Sequence, residues 1–176
     1  MIYLTKENFQ EIIGHCQKEY PKEACGILAG SRGWSRGWSR GFSPVGNRTS
    51  PPIKDNDPKG STPGVGASAP LIISKVYKMV NISDSPETCY FMKPEEQLKV
   101  FKEMRNLDIE MLGIYHSHSK SLAYPSQRDC EMAFYPEVSY VIISLRNFNN
   151  PDIRAFKIIE GKIEEEKIVI EKGSEK

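Results

Sequence analysis

A forty-residue stretch that cannot build a core divides this chain. Between Ser31 and Pro70 there are 7 Gly, 6 Pro and 7 Ser, so half of the segment consists of turn and linker formers with little surface to bury. The packed part must therefore come from residues 1–30 and 71–176, which together have the length of an ordinary single domain. A connection this long inside one domain reads as an insertion, and it is expected to be disordered. It opens on Ser-Arg-Gly-Trp at 31–34 and again at 35–38, then Ser-Arg-Gly-Phe at 39–42; three such short units are too few for a solenoid. Six basic residues face two acids here, so a chain of net charge +1 has a basic insert and a body of about −3. Arginine alternating with aromatic rings is the one feature that suits RNA contact, against the plainer reading of an expanded low-complexity loop.

Outside the insert the chain reads as a globular protein. With 39% hydrophobic and 27% charged residues it is neither wholly disordered nor a membrane protein, and no apolar run is long enough to span a bilayer. Lys6, Glu7 and Asn8 interrupt the region where a signal peptide needs apolar residues, so a cytoplasmic location is expected. The 4 cysteines (Cys16, Cys25, Cys89 and Cys130) form no C-x-x-C pair and are expected to be reduced and mostly buried. The small net charge argues against general nucleic-acid affinity.

Apolar periodicity predicts a first helix over 5–20, with Thr5 as N-cap, Pro21 as stop and Phe9, Ile12, Ile13 and Cys16 as its inner face. His15, on that helix, is expected at the surface or at the helix end. A short buried strand is predicted over 23–30, then strands over 71–82 and 90–92 and a helix over 94–106 with a Leu98, Phe101, Met104 stripe. A strand over 109–115 follows, then a short helix over 126–134 and strands over 140–145, 153–159 and 162–170, the last pair joined by a tight Glu160-Gly161 reversal. The class is α/β or α+β: a sheet with flanking helices.

The chemistry concentrates in fourteen residues, where His116-Ser117-His118 is followed by Ser126 and Asp129. Side chains at i and i+2 of extended backbone share a face, so two imidazoles can converge. Two nitrogens and one carboxylate form the open ligand set of a catalytic zinc ion. Ser126 and Asp129 also fit a helix capping box with no metal at all. That alternative leaves unexplained why two of the chain's 3 histidines stand immediately upstream.

Glu23 followed by His116-x-His118-x7-Ser126-x2-Asp129 resembles the signature of the JAMM (MPN+) zinc metalloproteases. Residues 21–30, Phe91 to Gln97, Gly113 to His118 and Ala133 to Pro136 are similar to the compact prokaryotic branch of that family. The resemblance implies an MPN/JAB-type, cytidine-deaminase-like mixed sheet flanked by helices, a single domain over 1–176 interrupted at 31–70. It also implies a Zn2+-dependent peptidase or isopeptidase acting after the C-terminal Gly-Gly of a ubiquitin-like modifier or sulfur-carrier protein. His116, His118 and Asp129 would bind the metal, Glu23 would be general acid and base, and Ser126 would hydrogen-bond the oxyanion. Ser119 departs from the proline that the family usually has after the second histidine. Taken alone, Glu23 could equally be an exposed carboxylate at a strand end. The competing classes are a non-catalytic scaffold of the same fold, which would not need an intact ligand set, and a nucleic-acid-associated RadC-like protein, from which this chain differs between the histidines and the serine.

Overall fold

The computed structural model describes residues 1–33 and 69–171. Most of the repeat, and with it the expected disorder of the insert and any RNA contact, lies outside the described residues. Eight strands run in chain order as β1 (Ile2–Leu4), β2 (Cys25–Arg32), β3 (Leu71–Met79), β4 (Glu110–His118), β5 (Ser139–Ser144), β6 (Asp152–Ile159), β7 (Lys162–Glu166) and β8 (Ile168–Ile170). Three helices accompany them: α1 (Lys6–Glu19), α2 (Pro94–Asn106) and α3 (Gln127–Glu131).

All eight strands form one sheet in the order β7-β6-β5-β4-β2-β3-β1-β8. Near its middle, β4 is antiparallel to β2 and parallel to β5. A parallel pair needs a crossover, and the chain between β4 and β5 supplies one that carries α3. Successive residues of β5 are buried on opposite faces, Val141 and Ile143 with α1, Tyr140 and Ile142 with α2. A strand covered on both sides in this way is a continuous apolar run.

Helix α1 begins where Thr5 Oγ1 accepts the Asn8 N–H at 3.1 Å, satisfying one of the orphan donors of a helix start. Its buried face is Ile12, His15 and Cys16. The expected surface position of His15 is therefore corrected. Three residues on from Ile12 it points at the sheet, and its Nδ1 lies 2.8 Å from the Tyr115 hydroxyl. Helix α2 keeps its expected bounds but turns differently: Val100 and Met104 are buried, while Leu98 is 55% exposed. The stripe follows 97, 100, 101 and 104, which is the true i, i+3, i+4, i+7 face.

Five strand expectations change, the first being that β3 ends at Met79 and not at residue 82. Strand β2 continues past Gly30 through Arg32, which pairs with Leu71. The connection between β2 and β3 therefore leaves from the end of β2 farther from Glu23. The short strand expected at 90–92 is a single bridge, Asn81 to Met92, made by the Ile82 N–H to the Phe91 carbonyl and the Lys93 N–H to the Val80 carbonyl, while the Phe91 N–H goes to the Asn81 side chain. Strand β4 runs through both histidines instead of ending before them. The last strand divides at Lys167: β7 pairs with β6, whereas β8 pairs with β1. The Glu160-Gly161 reversal before it has positive φ at both residues, 50° and 76°, as a tight hairpin turn requires.

That partner switch brings the two ends of the sheet together, and Glu166 sits where they meet. Its Oε1 is 3.0 Å from the Met1 amino group, and its other oxygen accepts the Ser139 hydroxyl at the start of β5. Burial opposes the charge, but the Ser139 and Met1 hydrogen bonds outweigh it and hold the Glu166 carboxyl below the ordinary glutamate range. A depressed folded-state pKa contributes stability above the unfolded value and loses it as pH falls through the folded one. Glu166→Gln is therefore expected to be less stable than the wild type at neutral pH, with the gap closing as pH drops below the usual carboxylate range, measured by urea denaturation across pH.

Candidate metal centre

His116 and His118 project from the same side of β4, with their Nε2 atoms 3.0 Å apart. The crossover brings Asp129 to them: Oδ1 lies 3.2 Å from His116 Nε2 and Oδ2 lies 3.4 Å from His118 Nε2. The three side chains offer ligand atoms that all lie within 4.8 Å of one another. His116 and His118 are buried, at 1% and 5% exposure.

The capping box is present as well. Ser126 Oγ accepts the Asp129 N–H at 3.2 Å, and both the Ser126 N–H and its hydroxyl donate to Asp129 Oδ2 at 2.7 Å. The two explanations of Ser-x-x-Asp are thus one arrangement, in which the cap fixes a carboxylate that also faces both imidazoles. Burial works against its charge, yet contact with His116 and His118 and the hydrogen bond from Ser126 hold Asp129 far below the carboxylate range.

The donor set fits a divalent cation on its own chemistry. His118 Nδ1 lies 2.8 Å from the Leu122 carbonyl, which can only accept, so Nδ1 carries a proton and the neutral ring has its Nε2 lone pair toward the cluster. Burial pushes the His116 pKa down, which favours its neutral, ligating form. For His118, burial pulls the same way, but contact with Asp129 and the Leu122 carbonyl leaves the pKa raised. Once His118 has given up its Nε2 proton, two neutral nitrogens and an ionised oxygen converging from one side suit a tetrahedral ion with its fourth position open.

Glu23 precedes β2 and is only 6% exposed, so it is no surface carboxylate. Its N–H donates to the Pro86 carbonyl at 2.6 Å, and its carbonyl accepts from Asn81 Nδ2 at 2.9 Å. The next residue, Ala24, is tied to the strand of the histidines: its N–H donates to Ser117 Oγ and its carbonyl accepts the Ser117 N–H, both at 2.9 Å. Glu23, His118, Ser126 and Asp129 line one groove of about 270 Å³. Burial pushes the Glu23 carboxyl up to about 7, with His118 pulling it down and the Asp129 charge pushing it up.

Three residues at this site carried no functional signal in the sequence. Ser117, read only as a spacer, makes the bond to Ala24. Asn81, read as part of a strand, accepts the N–H groups of Ser83 and Phe91 and donates to three carbonyls. Tyr90 lies over His116, with ring centroids 4.6 Å apart and planes 27° from parallel. Ser119, in the family's usual proline position, is buried and donates to the Glu87 carbonyl at 3.3 Å.

Residues 5–159 match the model of the prokaryotic homologs of the JAB domain. The chain belongs to that family. It is 30% identical over 157 residues to a CysO-cysteine peptidase of Mycobacterium tuberculosis, covering 89% of this chain and 82% of that protein. It is 27% identical over 162 residues to a probable TtuB-protein conjugate cleaving protease of Thermus thermophilus, covering 92% and 79%. Over 101 residues it is 35% identical to a desampylase of Pyrococcus furiosus, covering 56% and 68%. A solved structure from Desulfitobacterium hafniense shares the fold with a TM-score of 0.71 and 32% identity, covering 97% of this chain and 93% of the other. The family's mixed α/β fold is thus this chain's fold. No helix among the described residues is long and apolar enough to cross a membrane.

Ser117 gives the first test of this arrangement. Its side chain is fully buried, so Ser117→Ala leaves the Ala24 N–H without its acceptor and is expected to cost about 1–3 kcal/mol, read by chemical denaturation of the metal-free protein.

Proposed function

We propose that this chain is a zinc-dependent peptidase or isopeptidase that cleaves after the C-terminal Gly-Gly of a ubiquitin-like modifier or sulfur-carrier protein. One domain over 1–176, interrupted by the 31–70 insert, would perform the reaction. The observation that carries the proposal is the convergence of His116, His118 and Asp129 at a groove that His118 and Asp129 line together with the buried Glu23. The substrate class follows from the names of the relatives, which are a CysO-cysteine peptidase, a TtuB-conjugate cleaving protease and a desampylase.

His116, His118 and Asp129 would hold the zinc ion, and when bound it would supply Lewis acidity, lowering the pKa of a coordinated water to about 7 and polarising the scissile carbonyl. Glu23 takes the proton of the attacking water and returns it to the departing amine nitrogen. In the metal-free site burial pushes this carboxyl up to about 7, and a cation held beside it would pull it back toward the carboxylate form that accepts a proton. The Ser126 hydroxyl turns from Asp129 Oδ2 to the carbonyl oxygen on which charge develops. Its backbone N–H, 2.7 Å from the same Oδ2, keeps the carboxylate in place meanwhile. Phe91, Met92, Phe134 and Tyr135 line the same groove and offer apolar contact to an extended tail.

Zinc-loaded protein is expected to cleave a ubiquitin-like protein that carries either a C-terminal peptide extension or a lysine linkage. Glu23→Gln should slow that cleavage by roughly 10²–10⁴-fold while binding zinc as the wild type does. Removing zinc with a chelator should abolish activity, and zinc should restore it. A wild type inactive on every such carrier, or a Glu23→Gln variant of undiminished rate, would end this assignment.

A further inference from the structure

The two histidines of the cluster are not oriented by the same means. His118 gives its Nδ1 proton to the Leu122 carbonyl, the usual way in which a ligating imidazole is fixed in tautomer and rotation. His116 is 1% exposed, and its Nδ1 is buried without a hydrogen-bond partner. If Nε2 presents its lone pair to a cation, Nδ1 must carry the proton, and no acceptor steers that proton. One face of the ring is instead covered by Tyr90, nearly parallel to it at 4.6 Å.

We propose that Tyr90 is a positioning residue that fixes the His116 imidazole for metal binding by stacking, in place of a hydrogen-bond acceptor for Nδ1. The inference rests on the zinc assignment above and goes beyond it. An imidazole that shares its lone pair with a cation is electron-poor, and the electron-rich face of a phenol ring attracts it. Stacking also resists rotation about χ2, the motion that would swing Nε2 away from Asp129.

The phenol ring is itself held from both sides. Asn81 Nδ2 donates to the Cys89 carbonyl and Asn81 Oδ1 accepts the Phe91 N–H, each at 3.1 Å. These are the residues immediately before and after Tyr90. The same carboxamide grips the Glu23 carbonyl at 2.9 Å. One side chain thus sets both the ring that orients a ligand and the carboxylate that moves the proton. Stacking needs the ring and not the hydroxyl, which separates this role from that of a polar group contacting substrate.

The test uses the full chain and readouts other than turnover. These are zinc affinity by competition with a chromogenic chelator, the visible spectrum of the cobalt(II)-substituted protein, and melting of the metal-free protein. Tyr90→Phe is expected to stay within about twofold of wild-type zinc affinity, and Tyr90→Leu to lose about ten- to hundredfold, the range typical of removing a ligand's supporting partner. The cobalt spectrum should be unchanged in the first variant and altered in the second. Tyr90→Trp, which keeps a stacking face, should retain more affinity than Tyr90→Met, so a general loss of packing would be recognised by equal losses in the two. Wild-type affinity and spectrum in Tyr90→Leu, a Phe variant as weak as the Leu variant, or equal losses in Trp and Met would each overturn the inference while leaving the zinc site standing. A wild type that takes up no zinc would overturn both.

Discussion

Two hydrogen bonds between Ala24 and Ser117 join the parts of the chain on which everything else at this site depends. They are made by residues 93 positions apart, one beside the buried carboxylate and the other between the two histidines. Alternation along β4 sends His116 and His118 to one face and Ser117 to the other. The Ser117 hydroxyl is therefore free to serve the backbone of the neighbouring segment. A well-made bond of this kind adds about 1 kcal/mol net, but a buried N–H left without it costs more. Such an arrangement specifies register more than it adds stability: a slip of one residue would strand the Ala24 N–H and turn both imidazoles to the other face.

Asp129 shows how a short element can be both structural and chemical. Helix α3 has five residues, too few to stand by itself, and the Ser126 cap compensates by tying its first turn to the carboxylate. Because the oxygen that closes the cap is the one nearer His118, the geometry that starts the helix also aims the side chain at the cluster. Sequence reasoning set these two explanations against each other, and the fold makes them the same fact.

The elements most legible in the sequence were those whose local signals agree with their tertiary surroundings. Helix α2 has Pro94 at its start, acids in its first turn and an apolar face, and its bounds are those expected. The Thr5 cap was legible for the same reason. The cluster itself could be read because its spacing encodes both a strand face and a helix turn. Less visible was what depends on packing between distant segments. His15 was taken for a surface residue because nothing local announces the Tyr115 hydroxyl that accommodates it. Asn81 and Tyr90 look like strand in the sequence, but only one residue pair bridges there and the contacts that matter are made by their side chains, which no periodicity marks. Strand β1 went unnoticed since Ile2–Leu4 is too short to alternate, and the division at Lys167 because one β-prone run serves two different neighbours.

That division bears on how the molecule behaves among its own copies. Among the described residues the terminal strands of the sheet are β7 and β8, segments of five and three residues, and β1 covers β3 only at Leu71 and Ile72. The longer terminal strand reads Lys-Ile-Glu-Glu-Glu, so a second copy laid parallel and in register against it would set like charges opposite each other. Short, charged edges give an extra strand little to template on. Among the described residues the two terminal strands thus offer a neighbouring copy in a crowded solution little ladder to extend, and they are short because of the same partner switch that draws the ends of the sheet together.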